Sequence, residues 1–547
     1  MTDTEIIKTN MTESSETIKI ETPKSETSSD HSSDHSSKPS SDHFSEHSSD
    51  HSSEPSSDHS SDHSSDHSSE PSSEHSSEPS SDHSSDHSSD HSSKPSSDPI
   101  SLDIIDCSKE KYIGKKVKIQ GWINFGREGR KKKLYFCIVR DGTAYIQCVF
   151  NVKDMKDYDP AQLPNLTVRE TSIELVGTLQ KYPEGHKASS TCPRTIDCEI
   201  QVETWKLLGT SNVDIRGAIN EESDVQVIFD QRHISLRRPS GFTMLTVRNA
   251  MLNAFRTYYQ THRFVEVSPP TFSDTFCESG SSLFKLDFFG TPAYLTQSSQ
   301  LYLETVLPVV KRTFCILPSF RAEKSVTRRH LSEFTHLEAE IGFIKFDDLL
   351  SHLEDIVCYV CEEVMKSVGD LILTVNPDFK VPKKPFRRMT YADAIKYCNE
   401  HEILNNETGK PFEYGDDITE KPERMMTDMI GEPIFMIRFP TRMKAFYMKK
   451  CEDNPEETES VDLLMPNVGE IVGGSMRIED YQELLDAYKR VKLDPKPYYW
   501  FTEQRKYGSV PHGGYGIGTE RLMMWLLKSD HIRDMCLYPR YIGRCKP

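Results

Sequence analysis

The sequence predicts an α+β protein: an antiparallel sheet with flanking helices, preceded by a small β-barrel and a disordered N-terminal tail. Three observations carry this reading. A low-complexity tract fills the first hundred residues. Five runs rich in β-branched and aromatic residues follow within 115–209. Beyond them, groups of strands are flanked by stretches with apolar residues at helical spacing, the pattern of helices set against an antiparallel sheet.

The tail comes first. From about Ser25 to Asp98 the chain repeats Ser-Ser, then Asp, Glu or Lys, then His or Pro. So little apolar surface cannot offset the entropy of ordering, and residues 1–100 are expected to be disordered. The same tract explains the charge. The 547-residue chain carries −19, yet residues 1–100 hold 22 acidic and 5 basic side chains while residues 101–547 hold 63 and 61. Strong acidity would argue against a nucleic-acid partner, because phosphate contacts need Lys and Arg. Confined to the tail, it excludes nothing for the remainder. Twelve of the 21 histidines lie in the tract at four-residue spacing or multiples of it. Histidine-rich tracts bind metals weakly, but the expected reading here is a solvated tail.

No apolar run is long enough for a signal peptide, the N-terminus is too acidic for a mitochondrial presequence, and nothing approaches the ~18 apolar residues of a membrane span. The thirteen cysteines all follow residue 100 at irregular spacing, with a single CxxC at Cys358 and Cys361. Without a second pair to complete a zinc site, free thiols in the cytoplasm are expected.

Residues 101–210 form the barrel. Strands are expected at 116–122, 134–139, 144–149, 172–179 and 196–207, and about five strands in about 100 residues suggest an OB-type barrel. Its first hairpin carries Arg127, Arg130, Lys131, Lys132 and Lys133, followed by Tyr135 and Phe136. Cations neutralise phosphates and an aromatic face stacks an unpaired base, so this hairpin suits single-stranded nucleic acid.

A linker is expected over 211–235, leading into a large domain over 236–547. A helix is expected at 242–264, a short strand to Val267 ending at Pro269-Pro270, strands through 280–345, a helix at 347–367, and strands then a helix over 461–527.

Three segments of this domain carry chemistry. The first runs from Phe320-Arg321-Ala322-Glu323 through a polar loop bearing Arg328, Arg329 and His330 to Glu333-Phe334-Thr335-His336-Leu337-Glu338. Strand alternation groups Arg321 with Glu323, and Phe334 with His336 and Glu338. Cations, a carboxylate and an aromatic on one face suit a nucleoside triphosphate. The second holds Asp462, Glu470, Gly473-Gly474 and Arg477. Two carboxylates beside phosphates are what Mg²⁺ needs. A bulge at Gly473-Gly474 would return Glu470 and Arg477 to a common face. The third, Gly513-Gly514-Tyr515-Gly516-Ile517-Gly518-Thr519-Glu520-Arg521, opens an apolar helix with a planar cation at its start.

With these segments in this order, residues 101–547 resemble the class II aminoacyl-tRNA synthetases of the aspartyl, asparaginyl and lysyl subgroup, and within it the cytosolic asparaginyl branch. Residues 264–270 resemble motif 1, with Pro270 at the dimer-interface proline. Residues 320–340 resemble motif 2 and residues 516–521 motif 3. Thr519 stands where the family often has Leu. The resemblance implies an anticodon-binding barrel, with Phe136 the stacking aromatic and Arg127, Lys131, Lys132 and Lys133 its cations. It implies a homodimer that binds ATP, Mg²⁺, asparagine and tRNA(Asn). Arg321 would hold the α-phosphate and the substrate carboxylate. Glu323 would accept from the adenine amine, and Phe334 and Arg521 would sandwich the ring. Arg329 and His330 would reach the outer phosphates, and Asp462 and Glu470 would bind Mg²⁺. Glu278, Ser298 and Gln300 would hold the amino acid.

Side-chain choice separates the branches. Aspartyl enzymes carry a Lys at the end of a Gln-Ser-x-Gln-x-x-Lys string; here that string is residues 297–303 and ends in Leu303. They also carry Asp where this chain has Glu338. Arg477 as one donor and Glu338 as one acceptor match an amide. Aspartate would meet Glu338 as a like charge, which costs several kcal/mol. The rivals are an aspartyl enzyme, including one that charges both tRNAs, an asparagine-forming ligase without the barrel, and a non-catalytic RNA-binding paralogue.

Overall fold

The computed structural model describes residues 98–129, 132–183, 185–186, 192–211, 215–220, 222–278, 282–325 and 327–547, all within one compact unit. Residues 1–97, and with them nearly all of the repeat tract, lie outside the described residues, as do Arg130 and Lys131.

The chain opens with strands β1 (Ile100–Ser101), β2 (Lys116–Gly129), β3 (Leu134–Arg140), β4 (Tyr145–Asn151), β5 (Ser172–Lys181) and β6 (Thr195–Gly209). Their order is β1-β2-β3-β4-β6-β5, and a β2–β5 pairing closes the last five into a barrel. In β2 the alternation that predicts the strand is the one that buries it: Val117, Ile119 and Ile123 point inward. Each of the five expected strands is present, and most are longer than expected because their ends are polar yet still paired.

The large domain begins with helix α1 (Pro239–Thr261), started by Pro239 at its first turn. Strand β7 (Val265–Glu266) follows, then β8 (Phe272–Ser273), β9 (Lys285–Phe288) and β10 (Thr291–Leu295), which form a small sheet in the order β8-β10-β9. Helix α2 (Gln300–Val306), strands β11 (Arg312–Phe320) and β12 (Glu333–Gly342), and helix α3 (Phe346–Val375) come next. The chain continues through β13 (Arg387–Thr390), α4 (Tyr391–Glu400), α5 (Glu420–Ile430), β14 (Ile434–Ile437), β15 (Ser460–Met465), β16 (Gly469–Met476), α6 (Tyr481–Arg490), β17 (His512–Gly518) and α7 (Thr519–Leu526).

Eight strands make the main sheet, in the order β13-β14-β15-β16-β17-β12-β11-β7. All neighbours are antiparallel except the outer pairs β13/β14 and β11/β7. Helices α1 and α3 pack together with one face of this sheet in the principal core, which includes Val247, Phe255, Leu353, Val357, Leu337, Ile517 and Val472. Cys361 and Cys358 sit on that helical face as thiols, and none of the thirteen cysteines is in a disulfide.

Several elements depart from the sequence reading. Helix α3 runs past the expected end to Val375, continuing through a kink at Val368, beside Ser367 and Gly369. Helices α2 and α6 stand where mainly strands were expected. One is only seven residues long, and the other buries a narrow stripe of Leu484, Ala487 and Tyr488. Within the expected linker, Arg232 is buried and donates to the carbonyls of Asp534, Cys536 and Leu537, which ties residues 225–235 to the large domain.

The barrel meets the large domain through Arg194, whose guanidinium forks onto Asp370 at 2.7 and 2.8 Å, and through Glu170, which accepts from Arg140 of the barrel and Arg237 beyond it.

Candidate active site

A cavity of about 760 Å³ lies against β12, β16 and β17 at the centre of the large sheet. From β12 it takes Phe334, His336 and Glu338, every second residue. From β17 it takes backbone. Gly516 pairs with Glu338 and Gly514 with Glu340. A Cβ on Gly516 would lie 2.2 Å from His336 Nε2, and one on Gly514 would lie 2.1 Å from Glu340 Cδ. Only glycine leaves room for the side chains of β12 to lie across this strand.

Glu470 and Arg477 do reach the cavity together. The bulge that permits this is at Ile471, not at Gly473-Gly474 as the sequence suggested. Leu463 pairs with Val472 and Leu464 with Glu470, leaving Ile471 as the extra residue. The two glycines stay in regular register, opposite Asp462 and Val461.

Arg321 and Glu323 are not on a strand. β11 ends at Phe320, and the Ala322 amide leaves the ladder to donate to the Ser282 carbonyl. Both side chains still line the cavity. Arg321 donates to Glu278 at 2.8 Å, lies 5.4 Å over the Phe334 ring, and keeps a buried Nε with no partner among the described residues. His330 Nε2 lies 3.5 Å from Glu323, and burial, with Arg521 and Arg329 alongside, lowers its pKa to about 4.

Arg329 is buried and donates to Glu423 of α5, again with an unpartnered Nε. Arg328 is held by Glu420 of the same helix at 3.3 Å. Arg521, in the first turn of α7, donates through Nη1 to both the carbonyl and the carboxylate of Glu470, each at 2.9 Å. Burial pushes the Glu470 carboxyl up, but Arg521, Arg329 and Lys444 outweigh it and hold it well below the usual range. Asp462 accepts from Lys444 at 2.8 Å; burial raises its pKa, Lys444 opposes, and Glu470 adds to the rise.

The other end of the cavity is a hydrogen-bonded pocket. Glu338 accepts from the Ser298 hydroxyl and, at 2.8 Å, from the Ser299 amide. Gln300 donates to Glu304 at 3.0 Å, four residues along α2. Arg477 donates to Glu340 at 2.6 Å and to Ser475. Glu304 also accepts from Arg505 at 2.6 Å and contacts His512 at 3.0 Å. Leu303, beside it in sequence, is fully buried.

Sequence reasoning missed Glu304, Glu340, Glu423, Lys444, Arg505 and His512. Glu340 continues the alternation of Phe334, His336 and Glu338, and Glu304 follows Gln300 by one helical turn, so both had a signal. His512 immediately precedes the glycine-rich segment and Arg505 lies in the aromatic stretch 498–508, while Glu423 and Lys444 reach the site from segments with no readable motif.

Elsewhere, Pro270 is exposed beside Val265 and Phe272, at 42% and 52% exposure. On the barrel, Arg127 pairs with Phe136 across the β2–β3 hairpin and lies 4.9 Å over its half-buried ring. Lys132 and Lys133 are exposed at the turn, and Lys131 lies outside the described residues.

Residues 224–542 match the family described as tRNA synthetases class II (D, K and N), and residues 117–208 match the OB-fold nucleic acid binding domain. The chain is 50% identical over 452 residues to the cytoplasmic asparagine--tRNA ligase of Dictyostelium discoideum, across 82% of this chain and 67% of that protein. It is 48% identical over 441 residues to the human protein of the same name, across 80% and 78%. The solved structure of Entamoeba histolytica asparaginyl-tRNA synthetase in complex with asparaginyl-adenylate is similar at a TM-score of 0.76 and 52% identity, covering 82% of this chain and 100% of that one.

Proposed function

The chain belongs to the class II tRNA synthetases of the aspartate, lysine and asparagine group, and on that premise we propose that it charges tRNA(Asn) with asparagine. It is a ligase that uses ATP to make asparaginyl-adenylate and then transfers the asparaginyl group to the tRNA 3′ end. Relatives at 48–50% identity carry this activity and the word cytoplasmic in their names, and the enzyme works in the cytoplasm. Among the described residues, no helix is long and apolar enough to cross a membrane.

The observation that carries the reading is Arg321. It is a half-buried guanidinium in the cavity wall, between Glu278 and Phe334, with a buried Nε donor left over. Such a donor suits the α-phosphate oxygen on which charge grows as the asparagine carboxylate attacks in line. Arg521 and Phe334 supply faces for the adenine, and Glu323 the acceptor for its amine. Arg329 and His330 stand toward the outer phosphates. Glu278, Gln300 and Ser298 surround the substrate's amino end. Glu338 and Arg477 take the amide nitrogen and oxygen. Each carboxylate oxygen accepts more than one bond, so Glu338 has capacity left beyond Ser298 and Ser299. No protein nucleophile takes part; catalysis is positioning and charge stabilisation.

Asp462 and Glu470 fit Mg²⁺. A Cβ on Gly473 would stand 3.4 Å from a Glu470 oxygen and 3.7 Å from an Asp462 oxygen, so both carboxylates face the same small space. Two carboxylates plus substrate phosphates are the usual donor set for this ion. It would neutralise phosphate charge there. Pro270 and the apolar residues beside it are suited to a homodimer contact, and Arg127, Lys132, Lys133 and Phe136 to the anticodon.

Pyrophosphate exchange with asparagine and with aspartate tests the reading. Asparagine-dependent exchange is expected, with aspartate at the level of the blank. Dominant aspartate activity would make this an aspartyl enzyme, and no exchange with either would leave an RNA-binding paralogue.

A further inference from the structure

Arg477 poses a problem for an enzyme that must reject aspartate. A free guanidinium forks onto a carboxylate better than onto an amide, because two hydrogen bonds to an anion replace one to a neutral oxygen. The surroundings of Arg477 remove that advantage. Its Nε and Nη2 both point to Glu340, at 3.2 and 2.6 Å, and its Nη1 is taken by Ser475. Behind it, Glu304 Oε1 stands 4.0 Å from Nε. Glu304 is itself held by Gln300 and by Arg505, whose remaining nitrogens donate to the carbonyls of Ile478 and Phe501. None of these four charged side chains exceeds 3% exposure. Two arginines face two glutamates, with His512 3.0 Å from Glu304, so little net charge stands behind the wall, where Glu338 has no Arg or Lys partner among the described residues. Neither Glu304 nor Glu340 lines the cavity.

We propose that Glu304 is the positioning residue that sets asparagine over aspartate without touching the substrate: together with Glu340 it cancels the charge of the Arg477–Arg505 pair, and it fixes Gln300, leaving Arg477 as a donor that no longer attracts an anion. Discrimination then rests on a missing attraction behind Arg477 as well as on the repulsion from Glu338. This rests on the asparagine-charging assignment above. Removing the Glu304 charge leaves two buried guanidinium ions against one carboxylate, and a substrate carboxylate becomes the natural counter-ion.

The test is Glu304→Gln, which keeps the shape and removes the charge, with Glu304→Asp as the conservative partner. Pyrophosphate exchange is measured with asparagine and aspartate, and kcat and KM are separated for the amino acids and for ATP. Glu304→Gln is expected to raise the aspartate-to-asparagine ratio of kcat/KM at least tenfold, with KM for ATP within twofold of wild type, and Glu304→Asp to restore the low ratio. An unchanged ratio in Glu304→Gln, or a loss that lowers all parameters equally in both variants, would overturn the proposal. Should Glu304→Gln fail to fold, Glu340→Gln unbalances the same cluster and is read by the same ratio, with the same two outcomes. Wild-type enzyme run alongside separates the failures: if it does not use asparagine, the assignment falls first.

Discussion

Arg521 Nη1 is bonded twice to Glu470, once at the backbone carbonyl and once at the carboxylate, each at 2.9 Å. The first turn of α7 is thereby fastened to the second residue of β16. One guanidinium both holds the bulged strand and lines the cavity. Arg521→Ala is expected to lower kcat/KM for ATP by about 10²–10³, the usual cost of losing one charge-stabilising donor. Initial rates of asparagine-dependent pyrophosphate exchange check this, and a change below fivefold would remove Arg521 from the ATP site.

Glu423 ties the cationic loop down. It pairs with Arg329 and accepts from the Glu470 amide at 2.6 Å. Burial raises its pKa while Arg329 opposes that rise, so the pair stands or falls together. Glu423→Ala strands a buried arginine and is expected to cost about 3–5 kcal/mol of stability. Urea unfolding of the two proteins measures the difference. A loss under 1 kcal/mol would mean the pair is dispensable.

The glycine strand is expected to reject a methyl group. A Cβ at Gly516 lies 2.2 Å from the His336 ring, itself bonded to Ser319 at 3.0 Å. Gly516→Ala is expected to abolish pyrophosphate exchange because His336 and the neighbouring Glu338 must shift. Retained activity in a folded Gly516→Ala protein would show that His336 has room to turn aside.

On the barrel, Phe136→Ala is expected to weaken tRNA charging while leaving pyrophosphate exchange within twofold of wild type. Stacking of one base on an aromatic is worth about 1–3 kcal/mol, so KM for tRNA should rise roughly five- to 150-fold. An equal loss in exchange would place the defect in folding rather than in anticodon contact.

His352 supplies an acid-sensitive element of the core. It lies between Tyr515, whose hydroxyl is 2.9 Å from Nε2, Tyr258 at 3.4 Å from Nδ1, and the Phe264 ring. Burial lowers its pKa to about 3, with His262 and Arg312 adding and Asp355 opposing. The unfolded chain therefore takes up a proton near pH 6.5 that the folded chain refuses until about pH 3. Stability is full above about pH 6.5 and falls by about 1.4 kcal/mol per unit across that window. Stability of wild type and His352→Gln at pH 7 and pH 5 checks the sign: the wild type should lose more on acidification.

How much of this was readable depends on range. The barrel strands alternate locally, and Phe334, His336 and Glu338 follow from strand period alone. Glu340 obeys the same count, but its partner Arg477 lies 137 residues along the chain, beyond what local spacing shows. Glu423 had no local signal: it meets Arg329 from 94 residues away, on a helix set in a stretch of mixed structure. The spacing of Glu470 and Arg477 calls for a bulge without locating it at Ile471, because glycines advertise flexibility while the register is decided by the partner strand β15.

Strand β17 fills the slot between β12 and β16, yet it follows both in the chain. During synthesis, β12 and β16 emerge with facing edges unsatisfied, and the floor of the cavity does not exist until His512–Gly518 arrives to join them. Until then the nascent chain has two unpaired strand edges and no closed cavity floor. The order of elements thus delays completion of the sheet until β17 has been made and makes this interval the one in which the growing protein most needs protection from mispairing.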